Sequence, residues 1–145
     1  MKVSTRGRYA LRLMIDLAEH NTGEYISLKD ISTRQEISTK YLEQIVTQLC
    51  KAGLLKSIRG PQGGYMMTKE PKQYTVGSIL RITEGSLSPI ACVENTPNQC
   101  SRCDICSTVE FWKGLNKIIN EYVDKFTLED LINQHKQMDQ NNFTI

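Results

Sequence analysis

Four cysteines lie close together in the sequence and are the residues best suited to carry chemistry. Cys92, Cys100, Cys103 and Cys106 fall within fifteen residues, with the spacing C-x7-C-x2-C-x2-C. Thiolates at this density can bind a soft metal ion or an iron–sulfur cluster, and two cysteines separated by two residues can bind one ion together. The stretch therefore predicts a metal or iron–sulfur site.

Two other roles for these cysteines fit the sequence less well. A disulfide staple is disfavoured because no secretory signal peptide is visible and 145 residues can form a core without cross-links. Free structural cysteines are disfavoured because the surrounding stretch is too polar to bury them. Since thiols stay reduced in the cytoplasm and can then serve as ligands, we expect a cytoplasmic protein.

No set of residues predicts an enzyme or a small-molecule substrate. The sequence lacks a Ser/His/Asp set, a phosphate-binding loop and a glycine-rich nucleotide fingerprint. His20 and His135 are isolated, and we interpret both as surface residues. Cys50 stands among apolar residues and is interpreted as a small core residue.

The composition is that of a globular protein, and its charge is unevenly distributed along the chain. The apolar fraction of 39% and the charged fraction of 23% are ordinary, and no apolar run approaches the roughly 20 residues that a membrane-spanning helix needs. Residues 1–60 hold ten Lys or Arg and six Asp or Glu, whereas residues 61–145 hold eight and ten. A basic N-terminal half suits a polyanion such as nucleic acid, although a modest bias of this kind is usually just a solvated face.

Capping residues and turns divide the first half of the chain into three helices and a hairpin. Ser4 predicts a helix to about Glu19, Ser27 opens a short helix, and Ser38 caps a third helix that ends before Gly53. Residues 54–58 and 65–67 then predict two short strands around a Gly/Pro turn.

The second half of the chain predicts three further helices. Thr75 caps a helix over 76–84, and the apolar spacing after the cysteines predicts a long amphipathic helix over 107–124. Thr127 with Asp130 forms a capping box for a short last helix that ends near Lys136. We expect the polar stretch after that helix to be mobile.

This order of elements is typical of a winged helix-turn-helix. The predicted fold is mainly α, with a small β-hairpin wing and a long C-terminal dimerisation helix. The third helix has a polar exposed side that can enter a major groove, and the wing carries an arginine beside glycines. The predicted DNA-binding residues are Thr39, Lys40, Tyr41, Glu43, Gln44, Arg59 and Gly60. The same geometry can also serve protein contacts, which leaves an interaction module as the alternative.

The long helix is more apolar than a lone surface helix needs to be. Its predicted dimerisation residues are Trp112, Leu115, Ile119 and Tyr122. Helix-turn-helix proteins usually read two half-sites as symmetric dimers, which favours a homodimer on a double-stranded DNA operator. The alternative is that these residues belong to the core of their own subunit.

Three segments resemble a known family of regulators. They are MKVSTRGRYALRLMIDLA, YLEQIVTQLCKAGLLKSIRGPQGGY and FWKGLNKIINEYVDKFTLEDL. The first two precede the cysteine loop and the third follows it. They are similar to the iron–sulfur cluster regulators, the dimeric winged-helix transcription regulators of the IscR, NsrR and CymR types. The resemblance implies a repressor-like transcription regulator that senses iron or redox status through a cluster.

The cysteine pattern resembles the IscR type, which implies a [2Fe–2S] cluster. Cys92, Cys100 and Cys106 match the three cysteines of that type, but Val109 stands where its histidine ligand would be. Cys103 is our choice for the fourth ligand, and the alternatives are an oxygen of Asp104 or Glu110 or a group from the other subunit. Arg8 replaces the carboxylate that an NsrR-type site would need. The alternatives are a cluster-free CymR-type regulator of cysteine and sulfur metabolism and a zinc-stabilised module.

These expectations divide the chain into four parts. Residues 1–85 are expected to form the winged helix-turn-helix, and 86–106 the cluster-binding loop. Residues 107–136 are expected to form the dimerisation helix and a short C-terminal helix, and 137–145 a tail.

Overall fold

The computed structural model describes residues 2–143 and consists of six α-helices and one β-hairpin. No helix in this range is both long and apolar enough to cross a membrane. Short 3₁₀ helices occur at Pro71–Gln73 and Ala91–Val93. The elements are α1 (Thr5–Glu19), α2 (Leu28–Gln35), α3 (Thr39–Lys51), β1 (Leu55–Ile58), β2 (Gly64–Met67), α4 (Val76–Glu84), α5 (Val109–Lys125) and α6 (Leu128–Phe143).

Hydroxyl caps start most of the helices at the positions that the sequence predicts. The side chain of each cap accepts a hydrogen bond from the backbone N–H three residues later, which satisfies a group that the helix leaves unpaired. The four caps of α1, α2, α3 and α4 are Ser4, Ser27, Ser38 and Thr75. At α6, the side chains of Thr127 and Asp130 accept from each other's backbone N–H groups, which confirms the predicted capping box.

The main core forms around one face of α1. Its buried side chains pack with residues from α2, α3, β1, β2 and α6 in a single cluster. The α1 residues of this cluster are Ala10, Leu13, Met14 and Leu17. A second, smaller cluster consists of Val76, Leu80 and Leu87, with Ile119 and Val123 of α5 packed against it. The helix-turn-helix and the long helix therefore rest on adjoining but distinct cores.

The hairpin forms a short wing that is fixed to the segment before α2. Its strands are antiparallel, with Leu55 opposite Met67 and Ile58 opposite Gly64. Tyr65 and Ile26 exchange two backbone hydrogen bonds of 3.0 and 2.8 Å. A Cβ atom at Gly64 would strike the carbonyl group of Ile26, so this close approach requires glycine.

The last helix is longer than the sequence predicts, and the prediction that it ends near Lys136 is wrong. α6 continues to Phe143, so residues 137–143 are helical rather than a mobile tail; residues 144–145 lie outside the described part. Leu128 and Ile132 of α6 are buried in the main core.

His135 of α6, which we interpreted from the sequence as an isolated surface residue, contacts Glu19 of α1 at 2.7 Å. This contact raises the pKa of the imidazole.

The position of Leu128 predicts that α6 stabilises the main core. Leu128 is fully buried, whereas Met138 on the same helix is 63% exposed. We expect Leu128→Ala to lower the free energy of unfolding by about 2–5 kcal/mol, because it removes buried methyl groups and leaves a cavity. Met138→Ala is the matched control and should change it by less than about 0.5 kcal/mol. Equal losses in urea denaturation of the two variants would contradict the packing of α6.

Candidate nucleic-acid interface and cysteine loop

One side of α3 is exposed and polar while the other is buried. Leu42, Ile45, Val46 and Leu49 lie in the core, so the helix presents its remaining side to solvent. The exposed residues in its first two turns are Thr39, Lys40, Glu43 and Gln44. The structure thus brings four of the five predicted α3 residues together on one surface.

Tyr41, the fifth residue, has a contact that the sequence does not reveal. It is half-buried, and its ring meets the ring of Tyr9 edge to face with centroids 5.5 Å apart. The guanidinium of Arg12 lies 5.2 Å from the Tyr9 ring centroid. Tyr41 therefore attaches α3 to α1.

The tip of the wing, which follows α3 in the sequence, is also exposed. Arg59 and Gly60 are exposed, as is Ile58 at 52%. Gly60 has a φ of 115°, a conformation that side chains rarely adopt, and its carbonyl accepts a hydrogen bond of 2.9 Å from Gly63 N–H. This turn holds Arg59 at the end of the hairpin.

Cys50, in the last turn of α3, is half-buried rather than fully in the core. Burial raises the pKa of its thiol, and a hydrogen bond with Ser57 of β1 acts in the opposite direction. Cys50 therefore belongs to the packing of the wing and is separate from the cysteine loop.

The four loop cysteines are all free thiols, but the structure does not gather them. Cys92 and Cys106 are exposed, and Cys100 and Cys103 are half-buried. Within residues 2–143, no group of three or more Cys, His, Asp or Glu side chains is placed to hold a metal ion. The thiols are thus available for binding, while their present arrangement is not that of a finished site.

Two of these thiols differ in their ionisation. A hydrogen bond with Thr108, whose hydroxyl lies 3.5 Å from the sulfur, lowers the pKa of Cys106. Burial, followed by the charge of Asp104, raises the pKa of Cys103. Because the thiolate is the form that binds metal, the lower pKa favours Cys106 over Cys103 as a metal donor.

Asn116 attaches the cysteine loop to α5. Its side chain accepts a hydrogen bond of 3.2 Å from the hydroxyl of Ser88 and donates one of 3.4 Å to the carbonyl of Val93. Val93 is buried, and Leu87, just before Ser88, lies in the second core cluster. The loop is therefore fixed at its start to both α4 and α5.

α5 carries an exposed apolar stripe, which we define as Phe111, Leu115, Ile118 and Tyr122. Phe111, Ile118 and Tyr122 are 66%, 63% and 63% exposed, and Leu115 is half-buried. Their spacing of four, three and four residues places them on one face of the helix. Sequence reasoning omitted Phe111 and Ile118 from the dimerisation residues, although their helical spacing could have identified them.

The other two predicted dimerisation residues lie away from the middle of the stripe. Ile119 packs against the second core cluster of its own subunit. Trp112 is half-buried, and its ring meets the Phe111 ring edge to face, with ring centroids 5.0 Å apart.

An ion pair joins α5 to α4. Arg81 of α4 binds the carboxylate of Asp124 of α5 with two hydrogen bonds of 2.7 and 2.9 Å.

Comparison with known proteins identifies the family. The sequence profile of Rrf2, described as iron-dependent transcriptional regulators, matches residues 3–134. The chain belongs to the Rrf2 family. This confirms the resemblance seen in the sequence, and with it the winged helix-turn-helix fold of a DNA-binding transcription regulator.

Rrf2-family relatives of two named types are similar to this chain over most of its length. The HTH-type transcriptional regulator CymR of Bacillus subtilis is 41% identical over 131 residues, which cover 90% of this chain and 89% of CymR. The HTH-type transcriptional regulator IscR of Pectobacterium carotovorum is 35% identical over 139 residues, covering 96% and 84%. The solved structure of B. subtilis CymR, named there as the global cysteine regulator, has a TM-score of 0.75 and 40% identity, covering 92% and 98%.

These relatives are named as regulators, which confirms that this Rrf2-family chain is not an enzyme. They do not separate the two modes of sensing, because both an IscR and a CymR match at comparable coverage. The choice between a cluster and another signal therefore depends on the residues of the loop.

Proposed function

We propose that this protein is a cytoplasmic, homodimeric transcription regulator of the Rrf2 family that binds a DNA operator and senses iron–sulfur cluster status. The observation that carries the proposal is the set of four free thiols in one loop, which is attached at its start to α4 and α5. A signal received by the loop can therefore reach the DNA-binding unit through α4, which packs against α1.

The proposed DNA surface consists of the exposed side of α3 and the tip of the wing. Thr39, Lys40 and Gln44 can reach base edges or phosphates from the start of a helix in the major groove. Glu43 can accept a hydrogen bond from cytosine N4, and its charge disfavours unselective phosphate contact. Arg59, with Gly60 beside it, can reach a phosphate or the minor groove. Tyr41 supports this surface from within.

The proposed cluster ligands are Cys92, Cys100, Cys106 and, in fourth place, Cys103. The donor set fits a [2Fe–2S] cluster in type and number, since such clusters are held by cysteine thiolates and all four thiols are unpaired. The loop must rearrange to bring them together, because the described residues do not place three of them in one site. When bound, the cluster would supply sensitivity to iron supply and to oxidation.

The loop can act on DNA binding through its anchoring residues. Leu87 packs with Val76 and Leu80 of α4, and Asn116 holds the loop backbone at Val93. α4 in turn packs against α1, the central helix of the main core. A change of loop conformation at these contacts would alter affinity by about 1–3 kcal/mol if the coupling is of the usual size.

The proposed dimer surface is the apolar stripe of α5. Exposed aromatic and aliphatic side chains on one helix face are best buried against another apolar surface, and a second copy of the same helix provides one. Ile119 and Trp112 support the stripe from its inner side. A dimer built there would present two winged helix-turn-helix units to two half-sites.

A cluster-free regulator is the second candidate, and two observations favour it. The thiols are not gathered, and Val109 occupies the position at which the IscR type would have its histidine. In that case the signal would reach the protein through another molecule. A zinc-stabilised loop is the third candidate, and it would be colourless.

Alanine substitutions in the loop distinguish these candidates. We expect Cys92→Ala, Cys100→Ala and Cys106→Ala to abolish cluster assembly, because each removes a thiolate ligand. Cys103→Ala should change the visible spectrum or shorten the lifetime of the cluster. Anaerobic reconstitution with analysis of iron, sulfide and zinc provides the measurement.

Cys50→Ala is the control for these substitutions, because Cys50 lies beneath the wing and should leave the cluster intact. A colourless wild-type protein with bound zinc would favour the zinc-stabilised loop. If operator binding responds to its signal unchanged in all four loop variants, the cluster-free regulator is correct.

Arg59→Ala tests the proposed DNA surface. We expect it to weaken binding to a duplex selected by the wild-type protein from random DNA by about 1–3 kcal/mol at physiological salt, because a wing contact is lost. Lys136→Ala removes the same charge from the exposed surface of α6 and should have little effect. Equal affinities of Arg59→Ala and the wild-type protein, measured by fluorescence anisotropy, would remove Arg59 from the surface.

Ile118→Glu tests the proposed dimer. A carboxylate in the middle of the apolar stripe should weaken association at least about tenfold, or 1.4 kcal/mol, because it would be buried without a partner. Met138→Glu makes the same kind of change at a side chain of equal exposure on α6 and should leave the dimer intact. Sedimentation equilibrium that finds the two variants equally dimeric would place the interface elsewhere.

A further inference from the structure

Asp16 is the only charged residue that is buried in the part of the chain that the structure describes. Its side chain lies in α1 with no exposed surface. Burial of a carboxylate is unfavourable unless hydrogen bonds and an opposite charge compensate it. The partners that compensate Asp16 therefore indicate what the residue does.

These partners come mainly from the last two residues of α2. Arg34 donates from Nη2 to Oδ1 at 2.7 Å and from Nε to Oδ2 at 3.0 Å, which is a two-pronged contact. Gln35 donates from Nε2 to Oδ2 at 3.0 Å. The imidazole of His20, which follows the last residue of α1, lies 3.8 Å from Oδ1. The carboxylate thus holds the C-terminal end of α2 against α1.

A second contact strengthens the same joint from the surface. Arg12 of α1 donates to the side-chain oxygen of Gln35 at 3.2 Å and also to its backbone carbonyl. The same guanidinium lies over the ring of Tyr9, which contacts Tyr41 of α3. A continuous series of contacts therefore links the buried carboxylate, the end of α2 and the N-terminal part of α3.

The turn of the helix-turn-helix begins directly after this joint. Glu36 follows Gln35 and adopts a left-handed conformation with φ 56° and ψ 43°. Its N–H donates to the carbonyl of Ser32, whose hydroxyl donates to the carbonyl of Ile37 at 2.5 Å. Fixing Gln35 consequently fixes the point from which the turn and α3 start.

We propose that Asp16 is a positioning residue for DNA recognition, which sets the orientation of α3 by holding Arg34 and Gln35 at the end of α2. The proposal rests on the DNA-binding surface proposed above. Apolar residues in place of a buried ion pair often give equal or greater stability, so stability alone does not account for this network. Its directional bonds define an angle, and a recognition helix needs a defined angle to bring its side chains to base edges.

Two variants test this role without altering the proposed DNA surface. Gln35→Ala removes both side-chain contacts of Gln35 and changes no charge. Asp16→Asn keeps the shape of the side chain and removes its charge. Gln134→Ala, at an exposed glutamine of α6, is the matched control. Each protein is titrated with a duplex that the wild-type protein has selected from random DNA and with a shuffled version of that duplex.

We expect Gln35→Ala and Asp16→Asn to lose affinity for the selected duplex by about fivefold or more, the size of one lost base contact. Affinity for the shuffled duplex should change by less than about twofold, and for Gln35→Ala the salt dependence should not change, since phosphate contacts determine both. Gln134→Ala should keep the wild-type ratio of the two affinities.

A purely structural role predicts a different result. The two affinities would then fall by the same factor, in step with the loss of folded protein measured by circular dichroism, and the proposal would be wrong. It would also be wrong if both folded variants kept the wild-type ratio. If Asp16→Asn does not fold, Gln35→Ala decides alone. A wild-type protein that selects no sequence at all would instead overturn the proposed DNA surface.

Discussion

The packing of α1 is the constraint on which the rest of the structure depends. Ala10, Leu13, Met14 and Leu17 are at most 1% exposed, and they meet side chains from α2, α3 and α6. Full burial of each larger apolar side chain contributes about 1.5–3 kcal/mol. Because the same helix also carries Asp16 and Glu19, its polar groups hold the end of α2 and the middle of α6, while its apolar face packs in the core. The orientation of the DNA-binding helices is thus set from a single element.

The cysteine loop and α5 rest on a smaller core than the winged helix-turn-helix does. Val76, Leu80 and Leu87 form a cluster of only three buried residues, to which α5 adds Ile119 and Val123 at its edge. The Arg81–Asp124 contact supplements this packing and lowers the pKa of the aspartate. Regions with few buried apolar contacts open more readily than the main core. A loop attached there can change conformation without unfolding the winged helix-turn-helix, which suits a sensor.

The division of charge along the chain has a counterpart in the structure. Lys40 and Arg59, from the basic first half, are exposed on α3 and on the wing. Most acidic residues of the second half belong to α5 and α6, which are distant in sequence from α3 and the wing. In the proposed DNA surface, the N-terminal end of α3, whose backbone dipole favours negative charge, would add to the attraction for phosphate.

Local signals in the sequence determined much of the fold. Helix starts at Ser4, Ser27, Ser38 and Thr75 could be predicted because a cap and the N–H it accepts from are three residues apart, and the wing followed from glycines between two short apolar runs. Only the tertiary structure decided which faces of α5 and α6 are covered. The sequence predicted too early an end for α6 because the last turns of this helix lack a strong apolar pattern. The helix is held to the rest of the protein by the buried side chains of Leu128 and Ile132 and by the His135–Glu19 contact.

The candidate site divides in the same way. The types and spacing of the four cysteines and the polar side of α3 were visible in the sequence, because each belongs to one continuous segment. Three contacts were not visible in the sequence: those of Asp16 with Arg34, of Tyr41 with Tyr9 and of Ile119 with α4. Each of them joins residues that belong to different helices and are far apart in the chain. Such contacts depend on how helices pack, and packing is decided by the three-dimensional fit of side chains, which no local pattern contains.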